Sequence, residues 1–288
     1  MKTRIGVTCT QGVGAQRGGR DRNEDNFLIC AEGRVSFLGG GEVVDRESLG
    51  AGAVVAVCDG MGGHDDGHVA SETAVRVLAK LHQVGVPRDP AKALARYVQD
   101  AHQRLYWKAR DAGPVTMGTT LSAVWLVAGG ASWVQVGDSR IYHLRDGVLR
   151  QLSLDQTQGE FARRDGRESV GQSDALAQSF LYGSRGQGDD SRLRIERGRD
   201  SGTEPLDVGD QLLLCSDGVS GTLDTPTIAA LLNATSDPQQ GADALVQAAM
   251  AAGSTDNVTA LVVWVDELEA VSSDDDYWDQ DDESTLMV

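Results

Sequence analysis

Four aspartates, each placed where an apolar run meets a turn, constrain the fold of this 288-residue chain more than any other feature. Asp59, Asp138 and Asp217 close apolar runs, and Asp256 stands just before the run that begins at Val258. The last residue of a β-strand lies where the chain leaves the sheet. If these strands pack side by side, the four carboxylates therefore converge on one rim. Crowded carboxylates repel one another unless a cation neutralises them. The sequence thus predicts an oxygen-lined site for a divalent metal.

The order of the periodic segments predicts the fold class. Short strands come first, then two helices, more strands, two more helices and a final strand at Val258–Val265. The helices are predicted at Val69–Val84, Pro90–Ala112, Thr227–Leu232 and Gln239–Ala252. This order is not the strict alternation of a doubly wound parallel sheet. It predicts an α+β fold of largely antiparallel sheets with helix pairs covering their outer faces.

Two polar regions interrupt or follow this pattern. Residues 155–201 are rich in Gly, Arg and Asp, and we interpret them as an excursion from the sheets with one short helix near Ala175–Leu181. The net charge is −17, and residues 266–288 hold ten Asp and Glu with no Lys or Arg, which leaves −7 for residues 1–265. We expect residues 266–288 to form a disordered acidic tail.

Composition excludes several classes of protein. An acidic chain is a poor candidate for binding nucleic acid. The four cysteines form no CxxC pair, which favours a reducing compartment. The N-terminus lacks the apolar core of a signal peptide, and no apolar run approaches the roughly 18 residues of a membrane span. These features predict a cytoplasmic protein without a membrane span.

Other hydrolytic and metal motifs are missing from the sequence. There is no G-x-x-x-x-G-K-[ST] phosphate loop, and no cysteine is followed six positions later by arginine. The five histidines lack cysteine partners at zinc-ligand spacing. Aspartate and backbone oxygens with few histidines favour Mg²⁺ or Mn²⁺.

Six short motifs, taken together and in order, resemble the bacterial form of the phosphatase 2C-like (PPM) family of metal-dependent protein phosphatases. They are Arg20-Asp21-Arg22-Asn23-Glu24-Asp25, Val57-Cys58-Asp59-Gly60-Met61-Gly62-Gly63-His64, Met117-Gly118-Thr119-Thr120, Val136-Gly137-Asp138-Ser139-Arg140, Ser216-Asp217-Gly218 and Thr255-Asp256-Asn257-Val258-Thr259. The resemblance spans residues 6–265. It implies a four-layer α-β-β-α sandwich, in which two central antiparallel sheets are flanked by helix pairs. Residues 1–265 would form the catalytic domain, with a flap at about 155–201.

The resemblance also implies a role for each site residue. Asp59 would bridge two metals, Gly60 would add its carbonyl to the first, and Asp217 and Asp256 would hold the second. Asp138 would serve a weaker third metal. The remaining assignments are Glu24 and Asp25 as ligands acting mainly through water, Arg20 as the group that grips substrate phosphate, and His64 either as proton donor to the leaving oxygen or as a surface histidine that contacts substrate.

The implied activity is Mg²⁺- or Mn²⁺-dependent hydrolysis of phosphoserine and phosphothreonine in proteins, without a phosphoenzyme. The chain would act as a monomer and oppose a bacterial Ser/Thr kinase. The alternative is a degenerate member that binds phosphoproteins without turnover. Two positions depart from the family pattern: Gln156 follows Asp155 where histidine is usual, and residues 176–183 match only loosely.

Overall fold

Thirteen strands form two antiparallel sheets within the part of the chain that the computed structural model describes, namely residues 1–43, 52–62, 67–83, 87–112, 117–167, 174–180 and 192–268. The strands are β1 (Lys2–Thr10), β2 (Asp25–Ala31), β3 (Arg34–Phe37), β4 (Gly40–Val43), β5 (Ala53–Gly62), β6 (Met117–Thr119), β7 (Leu121–Val127), β8 (Gly130–Val136), β9 (Arg140–Arg145), β10 (Val148–Gln151), β11 (Ser201–Pro205), β12 (Gln211–Cys215) and β13 (Val258–Glu267). One sheet has the order β1-β13-β12-β9-β10, and the other has the order β11-β8-β7-β5-β2-β3-β4 with β6 paired to β5.

Strand β5 shows how the apolar runs build the layers. Val55 and Val57 lie in the core between the sheets, whereas Val54, Ala56 and Cys58 face a second core beneath the helices. Because alternate side chains point to opposite faces, a continuously apolar strand is buried on both sides. The antiparallel sandwich predicted from the sequence is confirmed.

Six α-helices occur in the described residues, and four of them cover the outer faces of the sheets. They are α1 (Gly67–Ala79), α2 (Pro90–Ala112), α3 (Gln158–Arg164), α4 (Asp217–Ser220), α5 (Thr225–Asn233) and α6 (Pro238–Ala251). Helices α1 and α2 pack on the eight-stranded sheet, and α5 and α6 pack on the five-stranded sheet. Asp89, Asp224 and Asp237 accept hydrogen bonds from amides in the first turns of α2, α5 and α6. Such N-caps define where these helices begin.

The helix predicted at Ala175–Leu181 is wrong over its described residues. Residues 174–180 are extended, with isolated bridges at Leu176 and Phe180. The Phe180 amide donates to Thr119, which holds this stretch against β6. The helix of this region is α3 instead, because the Thr157 side chain accepts from the Glu160 amide and caps it.

The last strand passes the predicted boundary at Val265. It continues to Glu267, and Asp266 and Glu267 form ion pairs with Arg4 and Lys2 of β1. The acidic segment from residue 269 onward lies outside the described residues. No helix in the described ranges is long and apolar enough to cross a membrane.

Candidate metal centre

Asp59 and Asp25 meet at one end of the space between the sheets. They stand directly opposite each other in the antiparallel pairing of β5 and β2. Val57 and Phe27, two residues away in each strand, pack in the core between the sheets, so strand alternation aims both carboxylates toward the same space. Like charges directly across a strand pair are destabilising. This pair therefore needs either protons or a cation.

Asp25 is 1% exposed, and only one of its two carboxyl oxygens accepts hydrogen bonds. Its Oδ2 atom accepts hydrogen bonds from Ser216 Oγ at 2.8 Å and Thr259 Oγ1 at 2.7 Å, whereas its buried Oδ1 atom has no hydrogen-bond partner. Burial raises the pKa of Asp25 to about 7; the two hydrogen bonds lower it, and the charges of Asp217 and Asp256 raise it. Oxygen Oδ1 is thus a buried acceptor without a donor.

Asp217 follows β12 directly and is the first residue of the short helix α4. Burial, and then the charge of Asp256, raise the pKa of Asp217. A hydrogen bond with the Asp59 carboxyl and the charge of Arg20 lower it, but by less. A hydrogen bond between two carboxyls requires a proton on one of them. Burial followed by the charge of Asp25 raises the pKa of Asp59 well above its ordinary value. The Oδ1 atom of Asp217 is also buried without a hydrogen-bond partner.

Asp138 lies in the turn between β8 and β9. Burial raises its pKa to about 7, and the charges of Asp217 and Asp155 contribute to the rise. Gly137 has a φ of 100°, and a Cβ there would lie 2.7 Å from the Thr120 side chain. The Gly137 amide donates to Gln156 Oε1 at 2.8 Å. Gln156, the departure from the family pattern, is therefore a buried brace for the turn that carries Asp138.

Asp256 forms a two-point ion pair with Arg20. Arg20 Nε and Nη2 each lie 2.7 Å from one oxygen of the Asp256 carboxylate. The Arg20 side chain is 56% exposed and that of Asp256 is 31% exposed. The hydrogen bond to Asp256 raises the pKa of Arg20, so its positive charge is fixed beside the carboxylates.

Glu24 and Gly60 approach each other through their backbones. The Gly60 amide donates to the Glu24 carbonyl at 3.2 Å, and Ser71 Oγ donates to the same carbonyl at 2.7 Å. A Cβ at Gly60 would lie 2.2 Å from the Gly67 carbonyl oxygen. Only glycine fits there. The Glu24 carboxylate lies against Gly67 at the start of α1, where the helix dipole favours negative charge.

The donor set matches a hard divalent cation, although its oxygens are turned to other partners in this structure. In the described ranges no three His, Cys, Asp or Glu side chains form an assembled coordination group. Arg20 holds Asp256, and Ser216 and Thr259 hold one oxygen of Asp25. The unpartnered buried oxygens of Asp25 and Asp217 are the atoms that a cation would satisfy. We conclude that the residues fit a divalent-metal centre.

The structure brings most of the predicted site residues together. Glu24, Asp25, Asp59, Gly60, Asp138, Asp217, Asp256 and Arg20 are linked by the contacts and charges described above, whereas His64 lies outside the described residues. Sequence reasoning missed Ser216, Thr259 and Gln156 as supports of the carboxylates. Thr259 was within reach of such reasoning, because it shares the face of β13 that carries Leu261 and Val263 into the core between the sheets.

Comparison with known proteins identifies the family. Residues 45–261 match the sequence family described as "Protein phosphatase 2C". The chain therefore belongs to the protein phosphatase 2C family, and the resemblance drawn from the six motifs is confirmed. The matched range begins after Arg20, Glu24 and Asp25, so the positions of these three residues rest on the structure.

Two bacterial relatives illustrate the similarity in sequence. The chain is 32% identical to the serine/threonine protein phosphatase PstP of Mycobacterium tuberculosis, over 81% of this chain and 46% of the relative. It is 29% identical to the protein phosphatase PhpP of Streptococcus pneumoniae, over 75% of this chain and 87% of the relative. The chain thus spans about half the length of the mycobacterial relative.

Solved structures of the same type superpose on the whole sandwich. The catalytic domain of PstP in complex with two manganese ions covers 92% of this chain and is itself covered to 99%, with a TM-score of 0.66 and 27% identity. A serine/threonine phosphatase of S. agalactiae covers 92% of this chain and is covered completely, with a TM-score of 0.71 and 23% identity.

Proposed function

We propose that this chain is a protein phosphatase that hydrolyses phosphoserine and phosphothreonine in proteins with the help of divalent metal ions. The observation that carries the proposal is the buried carboxylate centre, which has two unpartnered oxygens and one paired cation among the described residues. A centre kept in this state costs folding free energy. A cation that binds there offsets that cost. The names of the relatives, and the two manganese ions in the PstP complex, support the proposal.

In this proposal the carboxylates divide the metal binding between them. Asp59 would be shared by two Mn²⁺ or Mg²⁺ ions, Gly60 would contribute its carbonyl, and Asp217 and Asp256 would hold the second ion. Asp138 serves a weaker third site. Glu24 and Asp25 act mainly through water. Bound metal ions supply positive charge for the phosphoryl group and acidify water for attack on phosphorus.

Arg20 has a separate role at the mouth of the centre. Its guanidinium is exposed and, among the described residues, is held by the carboxylate of Asp256, so it can turn toward a phosphate and form two parallel hydrogen bonds with it. We assign Arg20 to binding the substrate phosphate and stabilising its charge during transfer. His64 is proposed as proton donor to the leaving serine or threonine oxygen, or as a contact for the substrate.

The proposed substrates are phosphorylated proteins, including a Ser/Thr kinase whose action the chain opposes. We propose a monomer of the cytoplasm, with residues 1–265 as the catalytic domain, residues 155–201 as its flap and residues 266–288 as an acidic tail. Asp266 and Glu267 of this tail complete β13, and the segment from residue 269 onward is proposed to be disordered when not bound. Nucleic acid is not among the proposed partners, because the chain is strongly acidic.

Hydrolysis of a phosphothreonine peptide by the full chain tests the proposal. We expect turnover with Mn²⁺, loss of turnover with EDTA, and a fall of roughly a thousandfold for Asp59→Asn, since the bridging carboxylate supports several kcal/mol of transition-state stabilisation. Asp224→Asn is the matched control, because asparagine caps α5 as well as aspartate does.

Activity that survives EDTA or Asp59→Asn would rule out the metal-dependent mechanism. Tight binding of phosphopeptides without turnover at any Mn²⁺ concentration would instead support the degenerate binding module.

A further inference from the structure

A basic groove lies on the eight-stranded sheet, away from the metal centre. It has a volume of about 540 Å³ and runs between the first half of α2 and residues 192–197, with Ser201 of β11 at one end. None of its lining residues belongs to the metal centre. The proposed reaction therefore leaves this groove unused.

Four cations and no acidic side chain line the groove within the described residues. The cations are Lys92 and Arg96 on α2, and Arg192 and Arg197 on the facing segment. This local excess of positive charge contrasts with the net charge of −7 carried by residues 1–265. A concave surface of one sign concentrates ligands of the opposite sign. The groove therefore favours an acidic ligand.

Two of these cations, Arg96 and Arg197, have exposed acidic neighbours. Arg197 lies 3.3 Å from Asp89, and Arg96 lies 3.9 Å from Asp100. The side chains of both pairs are between 36% and 70% exposed. Such exposed pairs contribute little free energy, so a more highly charged ligand can displace them.

The floor of the groove is apolar and holds a hydrogen-bond donor, the side-chain amide of Gln99, that has no acceptor. Ala91, Ala95, Leu193 and Ile195 line it, and Leu193 is fixed because its amide donates to Gln99 Oε1 at 2.9 Å. The Nε2 atom of Gln99 is buried and has no hydrogen-bond partner. A ligand that carries aromatic rings and backbone carbonyls among its acidic groups would satisfy both the floor and this amide.

The same chain contains a segment with this chemistry. Residues 274–283 hold seven Asp and Glu and no Lys or Arg, and Tyr277 and Trp278 stand in their midst. We propose that the groove is the docking site of this acidic C-terminal segment, which binds to it within the same molecule.

The end of β13 lies near enough for this docking. The Val265 amide donates to the Asp210 carbonyl, and Arg145 joins Asp210 to the Pro205 carbonyl at the end of β11. From Pro205 to Ser201, β11 extends roughly 13 Å toward the groove. Residues 269–283 can span roughly 50 Å when extended, so the segment can cover this distance and still lie along the groove.

Binding of a labelled peptide to full-length chains tests the proposal without reference to catalysis. The peptide carries residues 269–288, and the receiving chains are the wild type and a variant in which the seven acids of residues 274–283 are replaced by Asn or Gln. An intrinsic affinity of about 0.1 mM, with an effective concentration of about 1 mM for the attached segment, predicts roughly tenfold weaker binding to the wild type. Equal binding to both chains would overturn the proposal, since the groove would then be free in the intact protein.

Charge reversal locates the site of binding. In the neutralised variant, Lys92→Glu with Arg96→Glu should abolish peptide binding, whereas Arg34→Glu with Arg76→Glu should retain it within twofold. The control pair makes the same change in charge at exposed positions outside the groove. Equal losses for both pairs would overturn the proposal, because they would indicate attraction by overall charge alone.

Hydrogen exchange supplies a measurement that needs no groove mutation. Amides of residues 91–99 and 192–197 should exchange several times faster in the neutralised full-length chain than in the wild type. Unchanged exchange in both segments would contradict docking.

Discussion

Two acidic clusters of this molecule differ in whether neighbouring cations and hydrogen-bond donors compensate their negative charge. At the metal centre, Asp25, Asp59, Asp138 and Asp217 crowd together, and burial raises the pKa of each. At the second cluster, Asp210 is buried as Asp25 is, with 3% of its side chain exposed, yet its pKa is lowered. The two clusters share the same chemistry but not the same neighbours.

The neighbours of Asp210 explain its lowered pKa. Arg145 Nε donates to it at 2.9 Å, and His143 Nε2 lies 3.0 Å from its other oxygen. Burial acts to raise the pKa of Asp210, but the hydrogen bonds from Arg145 and the Asp207 amide, together with the nearby His143, outweigh it. His143 Nδ1 also lies 2.9 Å from Glu204.

A buried acid with internal partners depends on them, because loss of one partner leaves an uncompensated buried charge, whereas buried acids without partners await a ligand. The comparison therefore separates structural charge from functional charge. Three experiments test this distinction.

The largest expected effect is an opposite change in stability at the two clusters. His143→Leu removes a partner of two buried carboxylates and should lower the free energy of unfolding by about 2 kcal/mol. Asp59→Asn removes one of several repelling charges and should raise the free energy of unfolding of the metal-free chain by about 1 kcal/mol at pH 7. Urea denaturation measures both. A loss of stability in Asp59→Asn would contradict the comparison.

A second effect is a dependence of the free energy of unfolding on pH, which bound metal counteracts. Asp25 and Asp138 have pKa values near 7 in the fold, against 3.8 ordinarily. Their contribution to stability is complete below about pH 4 and is lost as the pH rises through 7. The lowered pKa of Asp210 acts in the opposite sense, and its contribution is lost as the pH falls below 4.

The metal-free chain should therefore be less stable at pH 8 than at pH 5. Mn²⁺ should raise the melting temperature more at pH 8 than at pH 5, because binding displaces protons from the carboxylates. Asp138→Asn should flatten this dependence, and Asp146→Asn in an exposed turn should leave it unchanged. Equal stabilisation by Mn²⁺ at both pH values would refute the expectation.

The smallest expected effect concerns Arg20, the paired cation at the centre. Arg20→Gln frees Asp256 and should tighten Mn²⁺ binding by up to about fivefold, the scale of an exposed ion pair. Arg20→Lys should keep most of the wild-type affinity. Isothermal titration with Mn²⁺ measures this, and the KM for a phosphothreonine peptide should rise in Arg20→Gln. Weaker Mn²⁺ binding would show that Arg20 positions Asp256 for the metal.

Sequence patterns predict the parts of this molecule that depend on local order. Continuous apolar runs located β5, β12 and β13, and periodic segments located α2 and α6. The fold class followed from the order of these elements, and the family from the six motifs. The aspartates at the strand ends lie at the metal centre, because neighbouring strands end at the same edge of a sheet.

Features that depend on distant partners escaped prediction. Ser216 and Thr259 support Asp25 across 191 and 234 residues of sequence, and no local pattern marks such pairs. The extended course of residues 174–180 follows from pairing with Thr119 and Gln156, which overrides local helix propensity. The ion pair between Arg20 and Asp256 could not be predicted either, since the free energies of alternative exposed ion pairs differ by fractions of a kcal/mol.

The position of β13 between β1 and β12 has a consequence for synthesis on the ribosome. Strand β1 is made first, yet β13 is its hydrogen-bonded neighbour in the sheet. At roughly 5–20 residues per second, β1 waits on the order of 15–50 seconds for that neighbour to be translated. Asp256 emerges just before β13. A nascent chain therefore completes its five-stranded sheet and its carboxylate centre in the same final step, and shorter translation products lack both.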